Sequence, residues 1–113
     1  MKQIKAILHP NALPRVIRAL HELPRFPGLT VFDAVGQGRG HGAGGTFVLT
    51  EENLFFHHKK VVEIIAEDDL AHRIVATIRE AAHTGNKGDG LVVVTDILET
   101  LRIGSGATQN DAV

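Results

Sequence analysis

The stretch Thr84-Gly85-Asn86-Lys87-Gly88-Asp89-Gly90 separates a helical pattern from a strand pattern. Its glycines allow positive φ angles and a close approach of a ligand to the backbone. Successive N–H groups in such a loop can form a concave anion site, to which Lys87 would add a positive charge. The same residues also suit a helix C-terminus followed by a turn, with Gly85 in the left-handed conformation. The loop alone leaves both interpretations open.

Hydrophobic periodicity on both sides of this loop predicts four strands and two helices. The strands are expected over residues 1–8, 29–35, 59–66 and 91–97, and the helices over 13–20 and 70–81. Asn11 is the predicted N-cap of the first helix, and the apolar run 91–97 suits a central strand with both faces buried. The order β-α-β-β-α-β predicts a ferredoxin-like α+β fold, an antiparallel four-stranded sheet with two helices on one face.

Composition limits the possible functions. A chain of 113 residues with 43% hydrophobic and 22% charged residues is expected to form one globular domain, small enough that oligomerisation would add to its stability. The formal charge of -1 gives no basic excess for nucleic acid, and the absence of Trp and Tyr argues against a base-stacking surface. The absence of cysteine excludes disulfides and thiol chemistry. No signal-peptide or membrane-spanning pattern is present, so the expected location is the cytoplasm.

A glycine-rich insertion follows the second predicted strand. Residues 36–45 contain six glycines and residues 46–56 have no clear period, so an irregular segment is expected there. Long loops in small domains usually carry function, and the apolar side chains of this one would be costly in water unless they contact a partner or another subunit. The polar segment 104–113 is expected to fray.

Cationic side chains near the glycine-rich segments indicate an anionic ligand. Arg39, Lys87 and Arg102, with two loops rich in backbone N–H groups, would suit a polyphosphate, although each loop could equally be a turn with a solvated cation. Neither loop carries a Walker motif or a dinucleotide fingerprint that opens a helix. No nucleophile with an adjacent base stands out, so we expect binding rather than catalysis and no enzyme activity.

Histidine is the second unusual feature, with seven in the chain. His41, His57 and His58 lie in or beside the insertion, and imidazole favours zinc, copper and nickel. Adjacent histidines on an extended segment point to opposite faces, so one chain supplies only one of His57 and His58 to a given site. Because no tight ligand spacing is present, surface histidines without a metal are the alternative.

Taken together, these segments resemble the PII signal-transduction family (nitrogen regulatory protein P-II) over nearly the whole chain. The matching segments are Ile4-Lys5-Ala6-Ile7 with His9-Pro10, Gly28-Leu29-Thr30-Val31, Gly36 with Gly38-Arg39, Lys59 with Val61-Val62-Glu63-Ile64, Thr84-Gly85 with Gly88-Asp89-Gly90, and Arg102-Ile103. The resemblance implies a single PII-like domain over residues 1–113 that forms a homotrimer. It also implies a flexible T-loop at about 37–57, a polar C-terminal tail at 104–113, and a non-enzymatic regulator of nitrogen utilisation or a related process. Such a protein controls an enzyme, transporter or channel through its T-loop.

The resemblance further implies that ATP, ADP or AMP binds in clefts between subunits. The residues expected to line the phosphates and ribose are Gly36, Gly38, Arg39, Gly88, Asp89 and Gly90, with Lys87 in place of a cation expected at the position before it. Thr30, Glu63 and Ile65 are expected near the adenine. Arg102 is expected to reach the phosphates from the neighbouring chain.

Departures from the family pattern qualify these expectations. The chain has no tyrosine to be uridylylated, and Glu52 stands near that position of the T-loop. Gly40 replaces a glutamine that in the family helps to hold Mg²⁺ and 2-oxoglutarate, so the sequence leaves open whether this chain binds either ligand. Asn86, Leu91 and Gly104 replace expected cations. Each charged contact contributes about 1.5–3 kcal/mol, so we predict weakened triphosphate binding and effective competition by ADP or AMP.

A second function stays open as an alternative. The glycine-rich, histidine-bearing loop and the segment Pro24-Arg25-Phe26-Pro27 resemble a divergent PII-like subgroup associated with heavy-metal efflux. That resemblance implies a transition metal bound by the T-loop histidines His41, His57 and His58.

Overall fold

The computed structural model describes residues 1–37 and 57–113. The T-loop predicted at about 37–57 therefore lies almost entirely outside the described residues. The strands are β1 (Lys2–Leu8), β2 (Thr30–Gly36), β3 (His57–Ala66) and β4 (Gly90–Asp96), and the helices are α1 (Leu13–His21) and α2 (Asp68–Ala82). Two short 3₁₀ turns cover Pro10–Ala12 and Gln109–Ala112. No helix among the described residues is long and apolar enough to cross a membrane.

The four strands form one antiparallel sheet in the order β2-β3-β1-β4. Alternation places the even-numbered residues of β1 and β3 on the face that the helices cover. The buried residues of that layer include Ile4 and Leu8 from β1, Ile64 from β3, and Val16 and Ile74 from the helices. This arrangement confirms the predicted ferredoxin-like α+β fold, because a period of two in the strands and a helical period in α1 and α2 meet in one core.

The other face of the sheet carries apolar side chains that neither α1 nor α2 covers. Strand register places Phe32, Val61, Ile7 and Leu91 in a row across β2, β3, β1 and β4 on that face. Phe32 is 43% exposed and Leu91 is 59% exposed within the single chain. We call this surface the open face. Its composition is unusual for a surface in water, because contiguous exposed apolar patches normally mark an interaction site.

β4 corrects one prediction. Its apolar run suggested a central strand, but β4 pairs only with β1 and lies at an edge of the sheet. The run is apolar because alternate residues face two different layers: Val92 packs against the core, while Leu91 lies on the open face. An apolar run whose side chains point to two faces therefore does not fix the position of its strand within the sheet.

The start of α1 corrects a second prediction. Asn11 is not an N-cap, because it lies inside the 3₁₀ turn Pro10–Ala12 that precedes the helix. His9 caps that turn instead, and its Nδ1 accepts the N–H of Asn11 at 3.1 Å. The residue before a proline is restricted to extended conformations, which suits His9 for this capping role. The observed cap therefore lies two residues before the predicted one.

The segment after β4 corrects the expectation of a frayed tail. Leu101 and Thr108 form an antiparallel bridge, and the N–H of Arg102 donates to the carbonyl of Ala107 at 2.8 Å. The chain then enters the 3₁₀ turn Gln109–Ala112, in which Ala112 is only 7% exposed. The tail is polar in sequence, but backbone pairing with residues 100–102 holds it against the domain.

Candidate functional site

The loop over residues 84–90 is built on glycines with positive φ. Gly85 and Gly88 both have a φ of 85°, and Gly90 has a φ of 110°. At Gly90, an added Cβ would lie 1.9 Å from the carbonyl oxygen of Ile7, so the backbones of β1 and β4 approach too closely for any side chain. Position 90 therefore requires glycine for two reasons, its positive φ and the lack of room for a Cβ.

The Asp89 carboxylate closes this loop. It accepts the backbone N–H groups of Thr84 at 2.8 Å and Gly85 at 3.1 Å, and it also accepts the Thr84 hydroxyl. The Thr84 hydroxyl in turn accepts the N–H of Asn86 at 3.1 Å. Hydrogen bonds from the Thr84 hydroxyl and backbone, followed by that of Gly85, lower the pKa of Asp89. Of the two interpretations that the sequence left open for this loop, an anion site or a turn, the contacts of Asp89 are those of a residue that caps a turn.

Gly36 lies at the same end of the sheet as this loop. It is the last residue of β2 and pairs with His57, the first residue of β3, while Gly90 pairs with Leu8 at the end of β1. Among the residues that the structure describes, an added Cβ at Gly36 would meet only the Lys59 side chain, at 3.8 Å, so none of them requires glycine at this position. Gly38 and Arg39 follow directly but lie outside the described residues. We call this part of the molecule the loop end of the sheet.

The opposite end of the sheet carries a cleft of about 790 Å³. Four of the predicted site residues line it, namely Thr30, Glu63, Ile65 and Arg102. Its remaining walls come from residues 27–29 and from the tail, including Glu99 and Ala112. We call it the tail cleft. Apolar walls with a few polar groups of both charges are the usual composition of a small-molecule site.

Glu63 is held in place on the floor of the tail cleft. Its carboxylate lies 3.5 Å from Nζ of Lys5, and it accepts from Nε2 of Gln3 at 3.4 Å. Thr30 is its direct cross-strand neighbour on the same face. A hydroxyl and a fixed carboxylate beside the apolar Ile65 can recognise the polar edge and the flat face of a planar ring.

The predicted nucleotide residues therefore fall into two groups. Thr30 and Gly36 begin and end β2, so about 20 Å of strand separates them at a rise of about 3.3 Å per residue. Gly36, Lys87, Gly88, Asp89 and Gly90 belong to the loop end, whereas Thr30, Glu63, Ile65 and Arg102 belong to the tail cleft. Within one chain the two groups do not meet.

The histidines do not assemble a metal site in the described part of the chain. His57 pairs with Gly36 and His58 with Val35, so the two side chains lie on opposite faces of the sheet, as expected. His41 lies outside the described residues. Among the residues that the structure describes, no group of three metal-ligating side chains converges.

Comparison with known proteins identifies the family. The model of the family described as Nitrogen regulatory protein P-II matches residues 1–107. The chain belongs to the P-II family. Nitrogen regulatory protein P-II of Azospirillum brasilense is 40% identical over 113 residues and the match covers 100% of both chains. Nitrogen regulatory protein P-II 1 of Escherichia coli is 35% identical with the same coverage. Nitrogen regulatory protein GlnK2 of Haloferax mediterranei is 33% identical, and the match covers 91% of that protein.

The comparison confirms the resemblance inferred from sequence motifs. This P-II protein is accordingly a regulatory protein and not an enzyme, in agreement with the absence of a catalytic constellation in the sequence. The metal alternative gains no support from the comparisons, because the matched proteins carry nitrogen-regulatory names.

The tail contributes cleft residues of this P-II protein that sequence reasoning missed. Thr100, Ala112 and Val113 line the tail cleft beside Arg102. The only sequence signal for this arrangement is the pair Gly104 and Gly106, which permits a reversal of the chain. Gly106 has a φ of 75°, and its N–H donates to the carbonyl of Arg102 at 2.8 Å to close the turn.

Proposed function

We propose that this P-II protein binds adenine nucleotides (ATP, ADP or AMP) between the subunits of a homotrimer and controls a partner protein through its T-loop. The observation that carries this proposal is the separation of the predicted residues into a loop end and a tail cleft. One nucleotide can contact both groups only if the loop end of one subunit lies against the tail cleft of the next. A head-to-tail contact of this kind forms a ring when the rotation between neighbouring subunits closes, as it would after a third of a full turn in a homotrimer.

The open face supports an oligomer of this kind. Phe32, Leu91 and Val93 are each more than a third exposed in the single chain, and they share this surface with Ile7 and Val61. A second and a third copy of the chain would remove this apolar row from water at about 25 cal/mol per Å². Three open faces packed around one axis would leave the helices outside and place the sheet edges β2 and β4 of neighbouring subunits together.

The charges in the tail cleft favour the base over the phosphates. The ionisable side chains that line it are Glu63, Glu99 and Arg102, and Lys5 partly neutralises Glu63. A single guanidinium beside two carboxylates gives a weak site for a triphosphate. The phosphates would therefore depend mainly on the backbone N–H groups and Lys87 of the loop end, and the adenine would occupy the tail cleft beside Thr30 and Ile65.

Complementation between two defective chains tests the shared site. We expect Lys87→Gln at the loop end and Arg102→Gln in the tail cleft each to weaken ATP binding, measured by calorimetry. Unfolded together and refolded as a mixture, the two variants would recover about a quarter of the sites at full affinity, because one interface in four pairs two intact halves in a head-to-tail ring. Arg18→Gln is the matched control, since among the described residues its guanidinium hydrogen-bonds only to the carbonyl of Pro14 on α1.

Three results would contradict the proposal. If the wild-type protein binds no adenine nucleotide, the proposed ligand is wrong. If the protein is monomeric in light scattering, the proposed site between subunits cannot form. A mixture that recovers no sites places both halves of the site in one chain. In each case the control Arg18→Gln must behave like the wild type in the same assay.

Control of a partner requires the loop that leaves the loop end of the sheet. We expect a variant that lacks residues 41–54 to keep nucleotide affinity and the oligomeric state but to lose nucleotide-dependent retention of cellular proteins on the immobilised chain. Proteins retained equally by both chains would assign partner binding to another surface, and proteins retained equally with ATP and ADP would remove the nucleotide dependence.

A further inference from the structure

The tail of this protein is organised around a short backbone ladder. The N–H of Gln109 donates to the carbonyl of Thr100 at 3.1 Å, and the Thr100 hydroxyl donates to the carbonyl of Gln109 at 3.2 Å. Thr100 thus contacts both backbone groups of the same residue. These bonds fix the point at which the 3₁₀ turn Gln109–Ala112 begins.

Gln109 is held in a strained conformation by these contacts. Its φ of 52° lies in the left-handed region that a residue with a side chain rarely adopts. Its side-chain Nε2 also reaches the carbonyl of Leu98 at 3.5 Å. A strained backbone conformation persists only where surrounding contacts hold it in place. Here the left-handed conformation of Gln109 reverses the chain direction, which brings Ala112 back to Arg102.

The carbonyl of Ala112 accepts a hydrogen bond from Nε of Arg102 at 2.7 Å. Ala112 is buried and both residues line the tail cleft. No carboxylate in the described part of the chain lies within 4 Å of the Arg102 guanidinium. The bond to Nε thus fixes the plane of the guanidinium and leaves its two Nη groups for a ligand.

We propose that the C-terminal turn positions Arg102, through the Ala112 carbonyl, as the contribution of the tail cleft to phosphate binding, for a nucleotide whose adenine occupies that cleft and whose phosphates extend toward the loop end of the next subunit. The proposal rests on the function proposed above and names a positioning element for it. Arg102 is the only cationic side chain in residues 98–113, so the tail has no second cation to compensate when Arg102 is free to move.

The expected magnitude follows from side-chain ordering. Immobilising a side chain with many rotamers upon binding costs about 0.5–1.5 kcal/mol, which corresponds to about a 2- to 12-fold change in affinity. A guanidinium that is already held in place avoids this cost. Loss of the turn should therefore weaken ATP and ADP by about that factor more than it weakens adenosine, which has no phosphate.

Two matched substitutions test the ladder without touching the cleft charge. Thr100→Val removes the hydroxyl that contacts Gln109, and Thr108→Val removes an equivalent hydroxyl that has no hydrogen-bond partner among the described residues. We expect Thr100→Val to weaken ATP binding and Thr108→Val to leave it at the wild-type value. A chain that ends after Thr108 removes the Ala112 carbonyl itself and should show the full loss.

A double-mutant cycle with Arg102→Gln distinguishes positioning from a lost wall of the cleft. If the turn acts through Arg102, removal of residues 109–113 lowers ATP affinity in the wild type and has no further effect in Arg102→Gln. Equal losses in both backgrounds, or an equal loss for adenosine, would overturn the proposal while wild-type nucleotide binding still stood. A wild type that binds no nucleotide would overturn the proposed function itself, and this proposal with it.

Discussion

Among the described glycines, Gly90 is the one whose surroundings leave no room for a side chain. A Cβ at this position is excluded by two backbone neighbours, since the carbonyl oxygen and carbon of Ile7 lie 1.9 and 3.0 Å from its ideal location. Neither atom can turn away as a flexible side chain would. The φ of 110° adds strain of about 1–3 kcal/mol for a residue with a Cβ, and displacing packed backbone costs about 1–3 kcal/mol more.

The substitution Gly90→Ala should therefore destabilise the fold by about 2–6 kcal/mol, against a total stability of about 5–15 kcal/mol for a domain of this size. At about 4 °C per kcal/mol, the melting temperature should fall by roughly 8–24 °C in thermal unfolding followed by circular dichroism. The measurement is made without nucleotide and at one protein concentration, because ligands and oligomerisation shift the apparent stability.

Two other glycines separate the two contributions. Gly88 has a φ of 85°, but no described residue lies within 4 Å of an added Cβ, so Gly88→Ala should lose only the conformational part, about 1–3 kcal/mol. Gly104 has no positive φ and no close neighbour in the described part of the chain, so Gly104→Ala should be neutral or stabilise by up to about 1 kcal/mol. If Gly90→Ala is no less stable than Gly88→Ala, the close approach of β1 and β4 is refuted.

Three further predictions concern the loop, the open face and the ligand. The hydrogen bonds of Asp89 lower its pKa in the folded state, so the stability that it contributes is complete above about pH 4 and is lost as the pH falls through the lowered pKa. The free energy of unfolding of Asp89→Asn, measured as a function of pH, should lack this loss below about pH 4. The same pH dependence in both proteins would contradict this prediction. Leu91→Asp on the open face should lower the oligomeric mass in light scattering, whereas Val35→Asp, equally exposed but on the opposite face, should not; equal effects would remove the open face from the interface. Calorimetry should find ADP within about tenfold of ATP, and tight Mg²⁺-dependent preference for ATP would contradict the weakened phosphate contacts inferred at Leu91 and Gly104.

The fold was predictable because its signals are local. Alternation of apolar and polar residues predicts the strands, and the spacing of Leu70, Ile74 and Ile78, which are all buried, predicts α2. Strand directions also follow from the order of elements, since an antiparallel sheet alternates direction between neighbours. The placement of Gly36 and Gly90 at one end, opposite Thr30, could therefore have been derived before the structure was known.

The errors arose where a residue depends on a partner that the pattern does not identify. β4 looks like a central strand because Leu91 and Val93 are apolar although they lie on the open face, which neither of the described helices α1 and α2 covers. The tail looks unstructured because Thr100 and Gln109 are joined through backbone groups, which carry no hydrophobic period. Neither the edge position of β4 nor the ladder of the tail can be read from side-chain polarity alone.

The position of the loop end explains how a nucleotide could influence the T-loop in the proposed arrangement. β2 ends at Gly36 and β3 begins at His57, so both connections of the T-loop leave the sheet at the end where the loop over residues 84–90 lies. With the adenine in the tail cleft of one subunit, the phosphates point toward the loop end of the next. The number of phosphates would then change the charge beside the base of the T-loop, while the contacts to the adenine stay constant. A ligand shifts a conformational equilibrium only through contacts that differ between two states, and the phosphates are the part of the nucleotide placed to make them.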